Sequence, residues 1–137
     1  MGGLVTEREN VGSGGDLDRA LADLRALSGD MASCAVLSAH GVLLSSSHDE
    51  GVDRERAAAM LSAVANLAER AAHREGKEHA AQVRVDAEDG HLLLVRLNGG
   101  GILAATTAKD ARVGLVLYDM RNAKGEIDKA ANAGGRS

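Results

Sequence analysis

The sequence predicts an α+β domain with the element order α-β-β-α-β-β-β-α. Apolar residues recur at helical spacing in three segments, and the remaining apolar runs are short and separated by Gly-rich or acidic turns. A length of 137 residues, 45% of them hydrophobic, is enough for one domain with a single core. Short turns between strands favour antiparallel pairing, so we expect a five-stranded antiparallel sheet covered by helices.

The first helix is predicted to begin at Asp16, a suitable N-cap, and to end before Gly29, with leucines at helical spacing between them. The Gly-rich residues 1–15 show no periodicity and predict a disordered tail, as do residues 132–137. The folded domain is therefore expected to span residues 16–131.

The central part of the chain predicts a hairpin followed by a long helix. The runs "ASCAVLS" and "VLLSSS" flank the turn "AHG", which is typical of two paired strands. The helix covers about Asp53 to Arg74, and Gly76 is suited to its C-terminus. Its predicted buried stripe consists of Ala57, Met60, Leu61, Val64, Leu67, Ala68 and Ala71.

This central helix also carries small residues on a second flank, including Ala58 and Ala65. A helix that is apolar or small over most of its circumference is usually buried on more than one side, which favours contact with another copy of the chain. Alternatively, the alanines reflect composition and their high helix propensity. The pattern by itself leaves both interpretations open.

Three more strands and a closing helix complete the predicted order. The strands are "AAQVRVDA", "HLLLVRL" and "ILAATTA", separated by the turns "EDG" and "NGGG". In the first of these strands, Ala81, Val83 and Val85 lie on one face. The closing helix has apolar residues at helical spacing from Val113 to Ile127.

Composition excludes several classes of function. Single-stranded nucleic acid is usually held by aromatic stacking in a basic groove, whereas this chain has a net charge of -4 and Tyr118 as its one aromatic residue. The single cysteine, Cys34, predicts neither an internal disulfide nor a cysteine-rich metal site. No apolar stretch approaches the ~20 residues of a membrane span, and the N-terminus lacks a signal-peptide pattern, so we expect a cytoplasmic protein without stable membrane insertion.

A cluster of Ser45, Ser46, Ser47, His48 and Asp49 suggests a hydrolase. However, contiguous residues of a strand point alternately to opposite faces, and a catalytic relay requires its three groups to meet in space. No G-x-S-x-G nucleophile elbow is present. We interpret the cluster as the solvated end of a strand, and we expect the protein not to be an enzyme.

Neither a metal nor a nucleotide site is evident from sequence motifs. The five histidines show no H-x-x-H or H-E-x-x-H spacing, and we expect His73 and His79 to be solvated turn residues that meet only by accident. The Gly-rich stretches lack the G-K-[ST] sequence of a nucleotide loop. Cys34 lies among small and apolar residues, which favours a buried, inert thiol. We therefore expect no cofactor.

Residues 16 to about 131 resemble the Roadblock/dynein light chain family. "AVLSAHGVLLSSS" is similar to its first hairpin, "AAAMLSAVANLAERAA" to its central helix, and "VRVDAEDGHLLLVRLNGGGILAATTAKDARVGLVLYDMRNA" to its last three strands and closing helix. The "HDEGVDRERAA" entry to the central helix is especially similar to bacterial members from actinobacterial gene clusters.

The resemblance implies a roadblock fold of profilin- or longin-like shape, with the central helix on one face of the sheet and the other two helices on the opposite face. It also implies a homodimer in which the third strand and the central helix each lie beside their mates. Carried onto this chain, the dimer interface includes Ala81, Val83 and Val85, with Ala58 and Ala65 allowing close approach of the helices. An otherwise unpaired edge strand would be covered by this pairing.

The function that the resemblance implies is regulation or scaffolding of a small Ras-like GTPase, including stimulation of GTP hydrolysis, in bacterial signalling. A sensor-kinase-like protein is a further expected partner. The candidate GTPase-facing residues are Arg54, Arg56 and Arg70, which on their own are also typical of a solvated helix surface. The alternative is a small-ligand sensory module of profilin- or PAS-like shape, which usually has a pocket with a few convergent polar groups.

Overall fold

The computed structural model describes residues 2–47 and 54–135, and the side chains within 15–47 and 54–132. The elements follow the predicted order and are α1 (Gly2–Leu27), β1 (Met31–Leu37), β2 (Leu43–Ser46), α2 (Arg54–Arg74), β3 (Gln82–Ala87), β4 (Gly90–Arg96), β5 (Ile102–Ala108) and α3 (Val113–Gly135).

The five strands form one antiparallel sheet in the order β2-β1-β5-β4-β3. The last three strands form a meander, and β1 pairs with β5, which is therefore the central strand of the sheet. The three hairpin connections, β1–β2, β3–β4 and β4–β5, therefore remain short as the sequence predicts, while β2 and β3 become the two edges. The predicted fold class is confirmed.

The main core lies between the sheet and the helices α1 and α3. Leucines of α1, including Leu21, pack with Val116 and Met120 of α3 against side chains such as Val36 and Leu103, all of them buried. The alternation of side chains along each strand then directs Ala35, Leu37, Leu94 and Ala104 to the opposite face, where α2 lies.

The tight packing of β1 against β5 requires a glycine at position 101. A Cβ atom at Gly101 would lie 2.6 Å from the backbone oxygen of Leu37, closer than such atoms approach one another in proteins. At the other end of this turn, both carboxylate oxygens of Asp128 accept a hydrogen bond from the backbone N–H of Asn98, at 3.1 and 2.9 Å. This bond ties α3 to the β4–β5 turn.

The helix ends differ from those expected from the sequence. α1 begins at Gly2 rather than at Asp16, and α3 continues to Gly135. The prediction followed apolar periodicity and the ~1 kcal/mol penalty of each glycine in a helix. Helical hydrogen bonding requires neither apolar residues nor the absence of glycine, and no proline interrupts the segment before Asp16. The domain boundaries at 16 and 131 stay a prediction.

Candidate interaction surface

Helix α2 presents small residues to the sheet, keeps Leu61 and Val64 half-buried, and exposes its other large apolar residues to solvent. Ala58 is the helix's one buried residue among those described, whereas Met60 and Leu67 are each 64% exposed. The prediction that Met60, Leu67 and Ala71 belong to the buried stripe is therefore wrong. Because alanines occur on every side of α2, the spacing alone did not fix which face packs on the sheet.

The five predicted dimer-interface residues fall into two groups. Ala58 and Ala65 lie on the side of α2 that faces the chain's own sheet, where Ala65 borders the same small cavity as Val83. Ala81, Val83 and Val85 lie along the edge strand β3 and immediately before it, and Val85 remains 41% exposed. Their part in a dimer stays a prediction.

A long apolar groove runs between α2 and the sheet. Its volume is about 510 Å³, and its walls include Met60, Val64 and Leu92. On its floor, the hydroxyls of Ser33 and Thr106 hydrogen-bond to each other at 2.5 Å, so their polarity is satisfied within the chain. The groove therefore presents a nearly apolar surface that continues towards β3, where Val85 pairs with Leu92.

The three predicted arginines do not form one cluster. Arg54 begins α2 and lies at one end of the apolar groove. Arg56 and Arg70 are exposed and, being fourteen positions apart, lie on the same outer face of the helix as Leu67. This outer face combines cationic side chains with two large exposed apolar side chains, since Met60 lies seven positions from Leu67 and therefore on nearly the same side of the helix.

The serine cluster makes structural hydrogen bonds. The Ser45 hydroxyl donates to the Asp18 carboxylate, and the Ser47 hydroxyl accepts from the Cys34 backbone N–H at 2.9 Å. The other two residues of the candidate relay, His48 and Asp49, lie outside the described residues. The Cys34 side chain is buried, as predicted, and burial raises the pKa of its thiol.

The structure brings together three side chains that were not predicted to form a cluster. Glu69 and His73 lie one turn apart on α2, and the loop after the helix returns His79 to them. The Glu69 Oε2 atom is 3.6 Å from His73 Nε2 and 3.2 Å from His79 Nδ1. Both histidines are exposed, as expected, but His73 lies on α2 rather than in a turn, and Glu69 brings the two rings together. The one signal in the sequence was the Glu-to-His spacing of four along a helix.

The comparisons with known proteins agree on the fold. Residues 17–107 match the model of the Roadblock/LC7 domain family. The chain superposes on Myxococcus xanthus MglB with a TM-score of 0.77 and 14% identity, covering 88% of this chain and 90% of that one. A Roadblock/LC7 domain from Streptomyces avermitilis is 28% identical, with a TM-score of 0.64 and coverages of 81% and 97%. A structure described as MglB with a tetrameric arrangement gives a TM-score of 0.75 at 13% identity, with coverages of 86% and 89%.

A comparison with curated protein sequences gives no match. Within the described ranges, none of the helices combines the length and apolar character needed to cross a membrane. The family match covers more than half of the chain and includes both hairpins, α2 and the sheet that carries the surface described above. The chain belongs to the Roadblock/LC7 domain family.

Proposed function

We propose that this protein is a homodimeric regulator or scaffold of a small Ras-like GTPase and that it stimulates GTP hydrolysis by that partner. The observation that carries the proposal is the combination of an open strand edge at β3 with an apolar groove beside α2. Membership of the Roadblock/LC7 family, in which GTPase regulation is expected, supports the same function.

The hydrogen-bonding pattern of β3 makes its outer edge available to a second copy. The Arg96 N–H donates to the Ala81 carbonyl at 2.9 Å. In the β3–β4 pair, this bond determines which residues of β3 direct their backbone groups to β4 and which direct them outward. The odd-numbered residues of β3 therefore bond to β4, whereas the even-numbered ones, including Arg84, direct their N–H and C=O groups to the open edge. A mate strand would satisfy these groups and extend the sheet across two chains.

The apolar groove supplies the side-chain part of this interface. Met60 and Val64 on α2 line the groove. On the same face of the sheet, Val85 of β3 lies beside Leu92, which forms part of the groove's wall. Monomers rarely leave contiguous apolar surface of this kind uncovered. We infer that the mate's α2 and β3 cover it, and a tetrameric arrangement of an MglB supports self-association in proteins of this fold.

The outer face of α2 is the surface we assign to the GTPase. Two adjacent α2 helices would form a platform on which Arg56, Leu67 and Arg70 face away from both sheets. Arginine is suited to a protein interface because its planar guanidinium makes bidentate hydrogen bonds to carboxylates. The same face is where we expect a sensor-kinase-like partner to compete or to assemble with the GTPase.

Stimulation of hydrolysis needs no nucleotide site on the regulator. The sequence contains no nucleotide loop with the G-K-[ST] motif. A partner that orders the switch loops of a GTPase can place the GTPase's own catalytic groups around the γ-phosphate. We therefore propose that the platform acts on the switch loops and that all contacts to the nucleotide come from the GTPase.

The experiment that tests this function has two steps. The protein is first used to capture partners from the native lysate, once with a non-hydrolysable GTP analogue and once with GDP. An identified small GTPase enriched with the GTP analogue is then purified, and its single-turnover GTP hydrolysis is measured with and without the regulator. Faster hydrolysis supports regulation by stimulation, and binding without acceleration supports a scaffold. No GTPase in either capture would contradict the proposal.

The volume of the groove favours a second candidate function, a small-ligand sensory module. About 510 Å³ is sufficient for a drug-sized apolar molecule, and the hydroxyls of Ser33 and Thr106 lie on its floor. The two functions differ in what fills this space. Light scattering combined with titration of an apolar fluorescent dye separates them, because a dimer that covers the groove excludes the dye, whereas a sensory module binds it at every concentration of protein.

A further inference from the structure

The cluster of Glu69, His73 and His79 has the donor atoms of a transition-metal site. Each residue contributes one ligand atom, and the three atoms lie within 4.8 Å of one another. Their side chains are partly exposed, so an ion can reach them directly from solvent. Two imidazoles and one carboxylate form a mixed nitrogen and oxygen set, which suits zinc and neighbouring metals better than magnesium or calcium.

Two of the three distances between these atoms are close to those that a metal imposes, and the third, between the two histidine nitrogens, lies within 4.8 Å. Zn²⁺ holds nitrogen and oxygen ligands at about 2.0–2.1 Å, which places two tetrahedral ligands about 3.4 Å apart. The Glu69 Oε2 atom already lies 3.2 Å from His79 Nδ1 and 3.6 Å from His73 Nε2. We propose that Glu69, His73 and His79 bind a divalent transition metal, Zn²⁺ in the first instance, with a fourth position open to water.

The surroundings of Glu69 keep its carboxylate oriented for this role. Its other oxygen, Oε1, accepts a hydrogen bond from the Ala80 N–H at 3.2 Å and lies 3.7 Å from Arg96 Nε. Because both of these contacts are to Oε1, they fix the carboxylate from outside the proposed site and leave Oε2 directed to the histidines, as is usual for metal-binding carboxylates.

Two further features bear on a cation at this position. Glu69 and His73 lie in the last two turns of α2, where the helix dipole favours positive charge. The positive charge of Arg96 disfavours binding of a metal cation nearby. However, Arg96 contacts Oε1 of Glu69, whereas the histidines lie beside Oε2. The balance therefore favours binding on the Oε2 side.

Metal binding requires each imidazole to change its tautomer. His73 Nε2 lies 2.6 Å from the Glu78 carbonyl, which can only accept, so this nitrogen carries the proton in the metal-free state. The metal takes the place of that hydrogen bond, and the proton moves to the other ring nitrogen. His79 likewise exchanges its hydrogen bond to Glu69 for a bond to the metal.

The consequence for the fold is a clamp on the connection between α2 and β3. His79 lies in the loop that leads to β3, whereas Glu69 and His73 lie on the helix. A metal bound by all three would hold this loop to the helix and so fix the start of the edge strand. The site is independent of the GTPase proposal, because none of its ligands belongs to the proposed platform.

Isothermal titration calorimetry of the full chain, free of any affinity tag, with Zn²⁺ tests the site. We expect one Zn²⁺ per chain, a rise in the melting temperature on binding, and no comparable effect of Mg²⁺. With Co²⁺ in place of Zn²⁺, we expect the intense visible absorption typical of a four-coordinate site. The variants His73→Ala, His79→Ala and Glu69→Gln are each expected to weaken binding by about tenfold or more, because each removes a ligand.

His91→Ala is the matched control. His91 also contacts a carboxylate, Asp86 at 2.7 Å, and a carbonyl, that of Lys109 at 3.1 Å, so it reproduces the surroundings of His73 elsewhere on the sheet. Unchanged Zn²⁺ affinity in His91→Ala, with circular dichroism confirming that all variants fold, supports the assignment. No binding to the wild-type chain, or equal weakening in His91→Ala and His73→Ala, would overturn it.

Discussion

Ala58 and Met60 lie two positions apart on α2 and face opposite directions. Ala58 is 7% exposed and packs towards the sheet, whereas Met60 is 64% exposed at the mouth of the apolar groove. The helix thus rests on its own sheet largely through small residues and leaves Met60 and Leu67 largely uncovered in the single chain. This orientation is what makes α2 a candidate for contacts with other molecules.

The open edge of β3 is expected to hold two copies together through backbone hydrogen bonds. Arg84→Pro removes an N–H that points to this edge and leaves the bonds to β4 intact. Loss of one ladder bond from each copy, worth about 0.5–1.5 kcal/mol apiece, should raise the dimer dissociation constant by roughly 5- to 150-fold. Analytical ultracentrifugation measures this change.

Arg84→Ala is the control for that experiment. It removes the same side chain and its 2.8 Å ion pair with Asp86 but keeps the backbone N–H. We expect Arg84→Ala to remain dimeric. If both variants behave alike, or if the proline variant stays dimeric, β3 is not the dimer edge.

The apolar side chains beside the groove are expected to be buried between the two copies. Val85→Asp places a charge in this interface, and the cost of desolvating it should raise the dissociation constant by about tenfold or more. Val42→Asp makes the same change at another exposed valine, in the turn that precedes β2, and should leave the dimer intact. Size-exclusion chromatography with light scattering over a range of concentrations compares the two. A dimer equally weakened by Val42→Asp would argue against the assigned face.

The arginines of α2 are expected to contribute to GTPase binding rather than to the chemical step. An arginine finger supplied by a partner is worth roughly 10³–10⁵ in rate. For the variants Arg54→Ala, Arg56→Ala and Arg70→Ala, we expect saturating hydrolysis rates within about tenfold of the wild type, since the platform acts through the switch loops. The concentration of regulator that gives half-maximal stimulation should rise instead. A thousandfold loss of rate in any one variant would identify a catalytic arginine and refute this mechanism.

An ion pair between the α1–β1 turn and the start of α3 is expected to make stability depend on acid pH. The Asp30 carboxylate accepts hydrogen bonds from Arg112 Nε at 2.9 Å and from its backbone N–H at 2.8 Å, and these bonds and the nearby charge lower the pKa of Asp30. A pKa that is depressed in the folded state stabilises the fold above the unfolded value of about 3.9 and loses this contribution as pH falls through the lower folded value.

The variant Asp30→Asn tests this contribution. Its melting temperature should lie below that of the wild type at pH 7, and the difference should shrink as the pH falls below about 4, where the wild type also loses the ion pair. Asp110→Asn, at an exposed aspartate in the turn before α3, is the control and should show no such convergence. A difference for Asp30→Asn that stays constant down to acid pH would contradict the prediction.

Much of the fold could be predicted because its signals are local. The order of elements, the hairpin turns and the strand faces of Val83 and Val85 follow from periodicities of two and 3.6 residues and from turn chemistry. The start of α1 could not be predicted in this way, since its first residues carry no apolar stripe. The buried face of α2 was predicted only in part, because a helix with alanines all round gives no unique direction for packing: Leu61 and Val64 of the predicted stripe are half-buried, whereas Met60 and Leu67 are exposed.

The α+β order, the antiparallel sheet, the resemblance to the roadblock family and the low aromatic content that disfavours nucleic-acid binding could all be read from the amino-acid sequence. The position of β3 at an edge, the outward direction of Met60 and Leu67, and the meeting of Glu69, His73 and His79 became visible in the folded chain alone. These features depend on strand order, on the rotation of a helix about its axis and on the path of a loop. Each of these features depends on contacts between different elements, whereas periodicity in the sequence reports on one element at a time.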